Sequence, residues 1–69
     1  MNYTLECELE DDGRWLAEVL QLPGVLAYGA TRDEAMAKAE ALALRVIAEQ
    51  LEQGERTAID ISIALPAAV

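Results

Sequence analysis

Sixty-nine residues place this chain near the lower limit for folding on one core, where only roughly 60% of the unfolded surface is buried. A single cysteine excludes an internal disulfide and the absence of histidine excludes a His/Cys metal site, so self-association is the remaining way to enlarge the core. Thirteen acidic residues against five basic ones give a net charge of −8, which repels phosphate and disfavours direct nucleic-acid binding.

Tyr3, Leu5, Cys7 and Leu9 alternate with Thr4, Glu6 and Glu8, which predicts a strand over about 3–9 with one buried face. Glu10-Asp11-Asp12-Gly13 supplies hairpin chemistry, because Asp-Gly tolerates the positive φ of a tight turn. The return strand covers about 14–20, with Trp15, Ala17 and Val19 sharing the core side. Leu22-Pro23-Gly24 then reads as a type II turn, since proline presets the first φ and glycine accepts the positive φ that follows. A third strand over about 25–29 closes a meander, and its facing is ambiguous because Val25, Leu26, Ala27 and Tyr28 are all apolar or nearly so.

Thr31-Arg32-Asp33-Glu34 has the form of a capping box, with Glu34 reaching back to the cap amide. It opens a helix over about 32–53, and Gly54 follows as its C′ residue. Ala35, Ala39, Leu42, Val46 and Ile47 form the expected core stripe, flanked by Met36, Ala43 and Leu51. Leu44 with Ala37, Ala41 and Ala48 widens the apolar arc, either because alanine forms helices well or because a second helix packs there. Residues 58–65 alternate again, placing Ile59, Ile61, Ile63 and Leu65 inward. A strand reached through a long helix suits a parallel partner and a right-handed crossover. The expected fold is therefore α+β, a β-β-β-α-β chain whose mixed four-stranded sheet has order 3-2-1-4, with strand 4 parallel to strand 1. The single helix covers one face, all 69 residues form one domain, and the sheet resembles a truncated ribonuclease H-like sheet.

No run approaches the ~18 apolar residues needed to cross a bilayer. Residues 1–4 lack the basic region and apolar core of a signal peptide, so the expected compartment is the cytoplasm, where an unpaired cysteine stays reduced. Ribonuclease H-type catalysis gathers carboxylates around two metal ions. Glu6 or Glu8 on strand 1 and Asp60 on strand 4 would share the sheet's outer face, but further carboxylates are missing from that side. A solvated face with cross-strand pairs, such as Arg14 with Glu6 or Glu8, accounts for them better. Cys7 has no histidine to activate it and reads as a small core residue. Asp11-Asp12-Gly13 is too short for a calcium loop and reads as a turn. No catalytic residue, metal or cofactor is expected. Trp15 reads as core or as an interface anchor.

The ordered set of an alternating first strand, an acidic turn into Gly13-Arg14-Trp15-Leu16-Ala17, Leu22-Pro23-Gly24, and the step from Gly29 to Thr31 into Asp33-Glu34-Ala35 resembles the HicB family of antitoxins. The likeness covers about residues 3–65. It implies a partial ribonuclease H-like domain without nuclease activity, which binds HicA, a small basic mRNA-cleaving toxin, and covers its active site. Complete antitoxins of the family usually append a C-terminal DNA-binding domain. Four residues follow strand 4 here, so that domain is expected to be absent and autoregulation by this chain is not implied. On acidity and exposure, the expected partner-binding residues are Glu8, Glu10, Asp11 and Asp12, with Trp15 and Tyr28 as apolar contacts. The alternative is a solitary HicB-like oligomeric scaffold, a dimer or tetramer with a non-toxin partner.

Overall fold

In the computed structural model, residues 1–66 are described. The chain order is β1 (Asn2–Leu9), β2 (Trp15–Val19), β3 (Leu26–Gly29), α1 (Arg32–Glu52) and β4 (Ser62–Ala64). The sheet has order β3-β2-β1-β4, with β4 parallel to β1 and the other pairs antiparallel. This is the α+β arrangement expected from the alternation and the helical crossover.

The hairpin between β1 and β2 closes through Glu10 N–H on the Arg14 carbonyl (2.8 Å) and Gly13 N–H on the Glu10 carbonyl (3.0 Å). Only Gly13 takes a positive φ (+89°), so the loop is a type I turn with a glycine bulge. In the next connection Val25 N–H bonds the Leu22 carbonyl at 3.0 Å and Gly24 sits at φ +86°, the expected type II turn. Thr31 caps α1 by accepting from Glu34 N–H at 3.1 Å. The Glu34 carboxylate does not complete the box. It takes a backbone hydrogen bond from Ala30 and binds Lys38 at 2.9 Å. At the other end Gly54 (φ +75°) donates to Leu51 and Glu55 to Gln50, which is a Schellman motif.

The core lies between the helix and one sheet face: Tyr3, Leu5, Ala17 and Val19 meet Ala35, Ala39, Ala43 and Ile47, with Leu22 and Val25 sealing one end. The centre of the helix stripe is thus a four-residue alanine-isoleucine row. Leu42 and Val46, expected at its centre, are only partly buried flanks. Small residues there bring the helix backbone close to the sheet, and Gly29 completes the approach. The Tyr3 hydroxyl, buried at the foot of the sheet, accepts from Arg56 at 2.8 Å, which ties the chain leaving α1 to β1.

The expectations for β4 need correction. It spans three residues rather than 58–65, because Ser62 already pairs with Asn2 and β1 offers almost nothing earlier to receive residues 58–61. Ile61 (40% exposed) and Leu65 (56%) therefore lie outside the core, as does Leu9 (58%), which runs past the helix beside the hairpin. Pro66 lacks the N–H that would carry the parallel ladder further.

Candidate protein-binding surface

The helix covers one face of the sheet, and among the described residues the other face is open. Strand alternation and register settle which residues stand on it. Leu5, Cys7 and Leu9 of β1 pair with Val19, Ala17 and Trp15 of β2, and these lie on the helix side of the sheet, with Leu9 beyond the helix itself. Glu6 therefore stands opposite Glu18, and Glu8 opposite Leu16, on the open side. In the next pair Leu16 meets Tyr28 and Glu18 meets Leu26, so Tyr28 and Leu26 belong to the open side as well.

The directly opposed Glu6 and Glu18 are a like-charge cross-strand pair, an arrangement that destabilises a sheet in isolation. Arg14, expected to neutralise Glu6 or Glu8, is engaged elsewhere. Its Nε binds Asp12 at 2.7 Å and its guanidinium stacks 4.2 Å above the Tyr28 ring. The Arg14 backbone N–H, donating to the same carboxylate at 3.0 Å, and then the side-chain hydrogen bond hold the Asp12 carboxyl below its ordinary range. A second salt bridge among the described residues, Lys38 with Glu34, lies on the helix. Glu6, Glu8 and Glu18 take part in neither.

Glu6, Cys7, Glu8, Leu16 and Glu18 line a shallow depression of about 50 Å³. That is far smaller than the roughly 300 Å³ or more of a small-molecule site. The depression is too small and open to enclose a small-molecule ligand.

The expected partner residues divide by position. Glu8 lies on the open face, and Asp11 and Asp12 are exposed at the hairpin tip next to it. Glu10 is half-buried at the hairpin base, where its backbone closes the loop. Tyr28 is exposed on the open side beneath Arg14. Trp15 is on the opposite side, half-buried against the core, so it and Tyr28 do not share a face. Glu6, Leu16 and Glu18 complete the surface and were not singled out as partner residues. Their grouping follows from the antiparallel register that the three-residue hairpin loop sets.

The nuclease arrangement is dispersed. Asp60 precedes β4, and its backbone carbonyl accepts from the Met1 ammonium group. In the parallel register its place lies six residues before Glu6, about 20 Å along the strand direction. Among the described residues no group of three or more Cys, Asp or Glu is placed to hold a metal ion. Burial pushes the Cys7 thiol above its ordinary range against the opposing pull of Arg32, which keeps it protonated at neutral pH. Among the described residues, no helix is long and apolar enough to cross a membrane. Compared with known proteins, the chain matches no family model, no curated protein and no solved structure.

Proposed function

We propose that the protein is a HicB-like inhibitor that acts in the cytoplasm by binding a small basic protein, a HicA-type mRNA-cleaving toxin, and covering its RNA-binding and catalytic face. The observation that carries this reading is the acidic open face of the sheet. Glu6, Glu8 and Glu18 continue into Asp11 and Asp12 at the hairpin tip, and the one arginine beside them is already held by Asp12. A surface of that sign accelerates encounter with a cationic partner and competes with RNA for it. The ordered sequence features that resemble the HicB family supply the identity of the partner. The role is that of a binding protein rather than an enzyme.

The test is a pull-down from the native host read by mass spectrometry, followed by affinity measurement of any small basic protein recovered over a salt series. Reversing Asp11 and Asp12 to lysine weakens binding, most at low salt, because the steering interaction is screened within about 10 Å at 0.1 M. Unchanged affinity at low salt would rule this patch out. The second reading, a self-associating scaffold with a non-toxin partner, is favoured by one observation. Leu44 is exposed on the helix in line with Ala37, Ala41 and Ala48. A dimer or tetramer by light scattering that Leu44→Glu dissociates, with no basic partner recovered, would support that reading instead.

A further inference from the structure

The ladder between β2 and β3 fixes which way each residue of β3 turns its main-chain groups. Val19 N–H donates to the Val25 carbonyl, so Val25, Ala27 and Gly29 present their polar groups to β2. The N–H and C=O of Leu26 and Tyr28 therefore point outward, along the edge of the sheet. No other described residue hydrogen-bonds to them. Residues 67–69 are too far away to do so. Ala64 lies in β4, at the opposite side of the sheet. A strand position outside β3 is four strand spacings from it, about 19 Å. Residues 65–69 extend at most about 17 Å. The edge also lacks the usual defences. Leu26-Ala27-Tyr28-Gly29 has no charge and no proline, and Leu26 and Tyr28 are exposed.

We infer that a second copy of this chain adds to this edge, β3 against β3 about a two-fold axis, joining the two sheets into one. Within β3 itself, only one antiparallel register pairs every outward group of Leu26 and Tyr28 on both strands. It sets Leu26 opposite Tyr28 of the other copy, an aliphatic–aromatic cross-strand pair on the open face. Ala27 then meets Ala27 on the helix side, and both helices cover the same face of the joined sheet. Charge selects the occupant. Two chains of net charge −8 repel, so they associate where carboxylates are fewest. Residues 25–29 carry none, Glu18 stands one strand in, and Arg14, held by Asp12, covers the Tyr28 ring. A cationic segment added here finds no carboxylate on β3 to hold it. The pairing also supplies what a 69-residue chain lacks, apolar surface buried beyond its own core. The two open faces then look the same way, with carboxylates toward each end. No carboxylate takes part in the seam, so the inference does not depend on the basic-partner reading.

The test is sedimentation equilibrium on the full chain, which is expected to show a monomer–dimer equilibrium between about 50 µM and about 1 mM. Raising sodium chloride from about 0.02 M to about 0.3 M tightens the dimer severalfold, because screening relieves the repulsion between copies. Leu26→Pro removes an outward donor, leaves the ladder to β2 intact and abolishes the dimer. Leu44→Gln, on the outer side of α1, leaves the dimer as it was. Amide exchange of the unaltered chain by NMR gives a readout that stands even where Leu26→Pro does not fold. Leu26 and Tyr28 exchange more slowly by about tenfold or more at the concentrated end than at the dilute end. A chain that stays monomeric throughout would overturn the inference. So would a dimer that Leu44→Gln dissociates while Leu26 and Tyr28 still exchange fast. Either result leaves the basic-partner reading standing, because that reading is judged by binding that weakens with salt.

Discussion

Gly29 lies beneath the first turn of α1, and a Cβ built there would stand 2.5 Å from the Ala35 nitrogen and 3.0 Å from its Cα. Backbone cannot yield as a side-chain tip does. Gly29→Ala is therefore expected to lower stability by about 1–3 kcal/mol, the usual range for overpacking. Urea unfolding followed by Trp15 fluorescence measures it, and an unchanged midpoint would mean that α1 can lift from the sheet. Two exposed carboxylates carry a pH signature. Asp12, bonded by the Arg14 backbone and side chain, and Glu34, bonded by Lys38, are held below their ordinary values of 3.8 and 4.5. A depressed folded-state value means that the ionised form is favoured by folding. The stabilisation is therefore complete above those ordinary values and is lost as pH falls through and below them. Asp12→Asn with Glu34→Gln should lower the urea midpoint slightly at neutral pH, by an amount that shrinks as pH falls below those ordinary values. A gap that does not shrink as pH falls would contradict the assignment. Solvent screening keeps the effect small.

At the scale of elements, α1 is capped well at both ends yet carries the wrong charge at its C-terminus. Its last turn has no basic residue and includes Glu49 and Glu52, which face the negative end of the helix dipole. Glu52→Lys is expected to raise stability by about 0.3–1 kcal/mol, read as a higher thermal midpoint by circular dichroism. Strand order, helix limits and both glycine turns were legible because each rests on local chemistry: alternation from Tyr3 to Leu9, Pro23-Gly24, the Thr31 cap and the Gly54 stop. The length of β4 was not legible. Ile59, Ile61, Ile63 and Leu65 alternate as a long strand would, but pairing depends on where β1 begins, and the register of Ser62 with Asn2 leaves residues 58–60 opposite no residue of β1. The surface was half legible for a similar reason. Acidity at Glu8, Asp11 and Asp12 shows in the sequence, whereas the opposition of Glu6 to Glu18 exists only once the hairpin register is set.

The molecule is elongated, 40 × 20 × 16 Å, with a radius of gyration of 12.7 Å. A compact domain of this length would have about 11 Å. The shape follows from two layers, a 21-residue helix laid on a small sheet, and a second sheet face that no described residue covers. With a net charge of −8 and opposed carboxylates on that face, self-repulsion acts against the folded state. Raising sodium chloride from about 0.02 M to about 0.3 M, which shortens the screening length severalfold, is expected to raise the urea midpoint of the isolated chain. A midpoint that falls with salt would mean that attractive pairs such as Arg14 with Asp12 outweigh the repulsion. The parallel closure of β4 on β1 also bears on synthesis. The meander and most of α1 leave the ribosome before Ser62, Ile63 and Ala64, so the first strand made waits for the last. A nascent chain stalled within α1 displays the entire outer edge of β1, with Tyr3 lacking its Arg56 partner, and that interval is when neighbouring chains on one message are most exposed to each other.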